Sequence, residues 1–188
     1  MHMLKSGLAA IALASLPLLG ACSQAEEEVP QAATKDDGTL TLAAALAAED
    51  GMDKLRDALT QSELAGLLDG PASYTVLAPT DAAFDALGED GQLIFDEEQR
   101  PLLIALLRDH MLPGHLTPET ISKAIATKGG PVTVTTLGEG QVTFTQEGEA
   151  ISATMPGGAK ANITGTSIAA NNGVVIPLDA VLLPGKEG

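Results

Sequence analysis

The chain contains a single cysteine, Cys22, so no intramolecular disulfide can hold its fold together. A Cys-x-x-Cys redox pair and a cysteine-rich zinc site are excluded on the same ground. Stability must come from packing. At 188 residues the chain is long enough for that, since a domain of this size buries roughly 68–70% of the surface its unfolded form exposes.

The position of the cysteine is equally informative. Lys5 precedes an apolar stretch at 7–18, and Leu19-Gly20-Ala21-Cys22 follows. A charged start, a short apolar run and small residues before a cut mark a secretory signal. The run falls short of the roughly 20 residues that a spanning helix needs. Leu-Gly-Ala-Cys resembles the lipobox of bacterial lipoproteins, in which the cysteine is acylated and becomes the first mature residue. The sole thiol then reads as a lipid attachment site. Ser23, next to it, resembles the residue found in lipoproteins sorted to an outer membrane. These features place the chain in a bacterial cell envelope, lipid-anchored on the periplasmic face or the cell surface, with the outer membrane favoured over the inner.

The formal net charge is −15, and loss of the leader removes one more cation, Lys5. Nucleic-acid binding requires Lys and Arg to replace phosphate counterions, so that class of partner is excluded. An anionic bilayer would repel the same surface, leaving membrane attachment to the lipid. One Tyr, three Phe and no Trp argue against aromatic stacking platforms for sugars or single strands.

Residues 23–37 are rich in Gln, Ala, Glu and Pro, with the acidic run Glu26-Glu27-Glu28, and lack apolar periodicity. They read as a flexible acidic spacer. The expected organisation is a signal peptide at 1–21, the spacer at 22–38, one domain at 39–184 and a tail at 185–188.

Within the domain, Leu40 to Leu46 and Met52 to Leu59 suit two short helices. Thr60 and Glu63 have capping-box spacing for a further turn carrying Leu64, Leu67 and Leu68. Tyr74-Thr75-Val76-Leu77 reads as a strand, stopped by Pro79. Thr80 is a helix cap, with Asp81 suited to the first turn and Phe84 facing the core. A helix over 97–109 presents Leu102, Leu103, Leu106 and Leu107. Thr117-Pro118-Glu119 starts another. After Gly129-Gly130 the texture changes to short alternating segments, at 132–136, 142–146, 151–154, 161–170 and 174–178, which read as successive antiparallel strands. Helices first and strands second point to an α+β fold.

Two segments carry a family resemblance. Tyr74-Thr75-Val76-Leu77-Ala78-Pro79-Thr80-Asp81-Ala82-Ala83-Phe84 is similar to the first signature of fasciclin (FAS1) domains. Asn172-Gly173-Val174-Val175-Ile176-Pro177-Leu178-Asp179-Ala180-Val181-Leu182-Leu183-Pro184 resembles the second. His110-Met111-Leu112-Pro113-Gly114 stands where the family has its central His…Pro-Gly element. The resemblance implies a wedge-shaped β-sandwich of two small sheets with flanking helices. It also implies a non-enzymatic binding or adhesion module. Its partners would be an envelope protein or an extracellular matrix component. Carotenoid binding by some members makes an apolar small molecule an alternative ligand. The family's frequent Tyr-His pair, connected with integrin-type recognition in animal members, is Asp109-His110 here.

Physically, the signature residues read as mainly structural. Asp179 suits an acceptor for backbone N–H groups in a turn, and Asn172-Gly173 a turn tolerating positive φ. Pro177 cannot donate to a ladder and marks an edge or bulge. His110 follows a helix end and reads as a satisfied, partly buried histidine. Its spacing from His115 does not suit zinc. No catalytic motif, cofactor fingerprint or EF-hand is present.

Overall fold

The two apolar signature runs, almost a hundred residues apart, lie side by side. In the computed structural model, which describes residues 33–185, Tyr74–Pro79 and Gly173–Leu178 form a parallel pair running from Tyr74 opposite Gly173 to Pro79 opposite Leu178. Both strands alternate between two cores. Val76 and Val175 face one, while Leu77, Val174 and Ile176 face the other. Burial on both sides explains why they read as nearly continuous apolar stretches.

In chain order the strands are β1 (Thr34–Asp37), β2 (Tyr74–Pro79), β3 (Met111–Pro113), β4 (Val132–Thr135), β5 (Gln141–Glu147), β6 (Ala150–Thr154), β7 (Lys160–Asn162), β8 (Ser167–Ala170) and β9 (Gly173–Leu178). The helices are α1 (Leu42–Ala48), α2 (Asp53–Gln61), α3 (Asp81–Asp85), α4 (Gly88–Leu93), α5 (Arg100–Asp109) and α6 (Pro118–Lys128). One sheet has the order β1-β8-β9-β2-β3 and the other β4-β5-β6-β7. Leu42, Leu46, Leu55, Leu59, Phe84, Leu103 and Leu107 pack helices onto one face of the five-stranded sheet. Its other face meets Val142, Phe144, Ile151 and Ala153 of the four-stranded sheet, with Ile121 of α6 closing that core. This is the expected α+β arrangement of two small sheets and flanking helices.

Local signals set several boundaries. Thr41 caps α1 by accepting from the Ala44 N–H, and Thr80 caps α3 by accepting from the Ala83 N–H at 3.3 Å. Thr117 and Thr120 form a capping box on α6, which Gly129 ends in the left-handed conformation at φ 69°.

The structure also corrects several expectations. Residues 34–37 are not spacer. They form β1, a parallel edge strand in register from Thr34 opposite Ser167 to Asp37 opposite Ala170. Their sequence shows no apolar alternation because none of their side chains enters either core. The strand contributes backbone, covering an edge whose four residues are all buried. Thr60 lies inside α2 and donates to the Arg56 carbonyl at 2.9 Å, so it caps nothing. The helix expected over 97–109 opens with a 3₁₀ turn at Glu97–Gln99 before α5. Leu102 is 54% exposed; it sits about 100° round the axis from Leu103, at the rim of the apolar stripe. Residues 161–170 divide into β7 and β8, which belong to different sheets. The strands are not all antiparallel, since β1–β8 and β2–β9 are parallel.

Pro177 occupies an interior strand, not an edge. It is tolerated because β8 pairs with β9 only as far as Val175. Beyond that point the Pro177 carbonyl accepts from the Thr164 N–H at 3.0 Å, and no ladder donor is required on that side. Gly173 is likewise strand and not turn. A Cβ there would overlap the Tyr74 carbonyl oxygen and lie 2.6 Å from Leu42 Cδ1, so close backbone approach demands glycine.

Gly173→Ala is expected to lower stability by about 2 kcal/mol or more, read as a fall in urea midpoint. Gly66→Ala is the control, because nothing lies within 4 Å of the added carbon there.

Candidate functional site

The signature residues gather around the β2–β9 pair. There they act mainly as ties between elements that are remote in sequence. Tyr74 is half-buried at the start of β2 and packs against the helical core. Pro113 stands opposite it on β3. Gly114, at φ 93°, turns the chain away and donates its N–H to the Ser73 carbonyl at 2.9 Å. Thr75, fully buried, donates to the Gly114 carbonyl at 2.8 Å and accepts from the Leu116 N–H at 2.8 Å. This role escaped the sequence reading, for which Thr75 was one more strand residue.

Pro79 ends β2, and the Thr80 N–H donates to the Leu178 carbonyl at 3.1 Å. Asp81 reaches away from its own helix. Its Oδ1 accepts from the Lys54 N–H at 2.8 Å, capping α2, while its N–H donates to the Gly51 carbonyl at 2.8 Å. Phe84 is buried in the helical core.

Asn172 does far more than turn the chain. Its Oδ1 accepts from the Leu42 N–H at 2.7 Å, and its Nδ2 donates to the carbonyls of Leu68 and Gly70 at 2.8 and 2.9 Å. One side chain thus fixes the start of α1 and the approach to β2 relative to β9. Asp179 accepts from Asn162, at 2.7 Å from its N–H and 2.8 Å from its side-chain amide. The acceptor role is as expected, but the donors lie in β7 instead of a local turn, so the pair stitches the two sheets together.

His110 is the C-cap of α5 and only 2% exposed. Its Nδ1–H donates to the Leu106 carbonyl at 2.8 Å, and Nε2 accepts from the Leu182 N–H at 3.0 Å. These two bonds require the neutral ring with the proton on Nδ1. Burial pushes its pKa below the ordinary value, and the Leu106 bond and the neighbouring Asp109 only partly oppose this. Asp109 itself accepts from Thr136 Oγ at 2.7 Å. Gly138 and Gly140 flank that carboxylate so closely that a Cβ on either would strike Oδ1. Asp109 therefore seats the β4–β5 hairpin on the end of α5.

Among the described residues no group of His, Cys, Asp and Glu is placed to hold a metal ion, and no helix is long and apolar enough to cross a membrane. His115 does not converge with His110 on any such site. Cys22, the signal segment, the spacer as far as residue 32 and residues 186–188 of the tail lie outside the described residues.

Two sheets, a helical layer on the outer face of one of them, and signature segments that meet as central parallel strands define a two-sheet α+β architecture and not a barrel or an open α/β sheet. The chain belongs to the fasciclin domain family, whose model matches residues 50–184. It is 28% identical over 159 residues to Protein sll1483 of Synechocystis sp. (strain ATCC 27184 / PCC 6803 / Kazusa), covering 83% of this chain and 79% of that protein. It is 31% identical over 156 residues to human stabilin-1, covering 80% of this chain and only 6% of stabilin-1. In fold it is similar to a FAS1 domain pair from the insect cell adhesion molecule fasciclin I. The TM-score is 0.68 and the identity 17%, over 78% of this chain and 51% of that one. That neighbour is named as a cell adhesion molecule, and at this identity the likeness is one of fold.

Two outcomes follow. Because the unfolded chain binds a proton near pH 6.5 that folded His110 refuses, stability is unaffected by this group above that pH. It falls as pH drops below it, by at most about 1.4 kcal/mol per pH unit. Urea midpoints between about pH 7 and 5.5 should show this slope, and His110→Gln should flatten it. Asn172→Asp keeps the Leu42 bond but sets a carboxylate against two carbonyls. It should cost about 2 kcal/mol or more, measured by the same denaturation.

Proposed function

We propose that this chain is a lipid-anchored adhesion module of a bacterial envelope. It would be held by Cys22 and act through non-covalent contacts with an envelope protein or an extracellular matrix component, without chemical transformation of its partner. The observation that carries the anchor is the sole cysteine placed directly behind Leu19-Gly20-Ala21 and the apolar stretch at 7–18. Ser23 favours the outer membrane. Membership of the fasciclin family and the fold shared with an adhesion molecule support the contact function.

The site chemistry agrees with this reading. Thr75, Thr80, Asp81, His110, Asn172 and Asp179 spend their polar atoms on the protein's own backbone and side chains, which leaves recognition to the outer surface. The cavity lined by Phe84 and Phe95 also carries Lys54, Asp57 and Asp85. Such a charge-rimmed opening favours contact with a polar partner over an apolar carrier role.

Mass spectrometry of the natively expressed protein is expected to find an acylated N-terminal peptide beginning at Cys22 in the membrane fraction. Cys22→Ser should move the protein to the soluble fraction. An unmodified N-terminus retaining residues 1–21 would overturn the anchor.

A further inference from the structure

The helical end of the molecule carries a groove. Two cavities, of about 320 and 570 Å³, share Gln61 and Phe95 as a common wall between α2 and the segment entering α5. Only three phenylalanines exist in the chain, and two of them meet here. The Phe84 and Phe95 rings pack edge-on with centroids 5.6 Å apart. Phe84 is the buried floor, while Phe95 is half-buried and shared by both cavities. Leu93, two residues earlier, is 55% exposed. Neither Leu93 nor the other exposed leucines, Leu67 and Leu102, lines the two cavities, so the accessible apolar surface of the groove is the half-buried Phe95 ring backed by Phe84.

The charge around that surface is unbalanced. Asp57, Asp85, Asp96 and Glu97 line the groove, against Lys54 and Arg100. Both cations are already engaged, Lys54 with Asp85 inside the groove and Arg100 with Glu63 at 2.7 Å beyond it. Among the described residues, Asp57, Asp96 and Glu97 have no ion-pair partner. An anion would be repelled here. A neutral apolar ligand would gain nothing from the exposed carboxylates, which water already solvates. A chain segment carrying Lys or Arg beside an apolar side chain satisfies both features: cations meet the rim, and the apolar group lies against Phe95.

We propose that this groove is a docking site for a cationic, partly apolar peptide segment of a protein partner. The proposal rests on the adhesion reading above and gives its partner a chemistry. The carboxylates steer and orient the segment, and the phenylalanine pair supplies the desolvated anchor.

The test uses the full-length chain bearing Cys22→Ser, so that no lipid intervenes. Its probes are the blocked peptides Lys-Leu-Lys-Phe-Lys, Lys-Gly-Lys-Gly-Lys and Glu-Leu-Glu-Phe-Glu, followed by calorimetry and by chemical shifts of the groove residues. The first should bind with shifts centred on Phe95. The second should bind roughly tenfold more weakly, and the third should show no binding. The combined Asp57→Asn, Asp96→Asn, Glu97→Gln variant should lose roughly tenfold in affinity. Neutralising three acids elsewhere, by Asp50→Asn, Glu139→Gln and Glu147→Gln, should leave affinity within about twofold. Phe95→Ala tests the anchor, with circular dichroism confirming that each variant remains folded.

Equal loss in both charge variants, or equal binding of the two lysine peptides, would mean diffuse attraction to an acidic surface and would overturn the groove. Capture of an envelope protein by wild type that persists in the groove variant would also remove the groove while leaving the broader adhesion reading in place.

Discussion

The parallel pairing of β2 with β9 is the constraint on which the other elements depend. It joins segments almost a hundred residues apart and buries them on both faces, so neither strand is stable until both neighbouring layers are in position. The helices α1, α2, α3 and α5 cover one side, and the four-stranded sheet covers the other. The polar ties reinforce this closure instead of forming a separate site. Asn172 fixes the chain entering β9 to α1 and to the approach to β2. His110 links the end of α5 to Leu182, just after β9. Leaving either buried bond unmade would expose the full desolvation cost of its partners.

This closure accounts for the character of the surface. The polar signature side chains bond to other parts of the fold, buried in the case of Thr75 and His110 and at the surface in the case of Asp179. What remains outside is acidic, poor in aromatic residues and interrupted by the opening at Phe84 and Phe95. The outer edges follow the same logic. β1 spends only backbone on the five-stranded sheet, shielding the edge of β8 with a polar strip. The glycines of the 136–140 loop leave room for Asp109, so the hairpin is held by the Thr136 hydroxyl on that carboxylate and by the Leu137 N–H on the Met111 carbonyl.

The sequence by itself determined the elements whose signals are local. Helix starts at Thr80 and Thr117 were legible because a cap needs only its own next three residues. The two central strands were legible because double-sided burial writes itself as an apolar run. The absence of disulfides followed from one cysteine. Tertiary structure alone decided what depends on distant partners. β1 is invisible in Thr-Lys-Asp-Asp because a strand that donates only backbone leaves no side-chain pattern. The tolerance of Pro177 inside a sheet depends on where β8 ends. Leu102 faces water because of where α2 lies against α5. Asn172, Asp81 and Asp179 are by residue type and position turn or cap residues, yet their partners lie in other elements. A hydrogen bond's partner is set by three-dimensional proximity, which residue type and spacing along one chain do not encode.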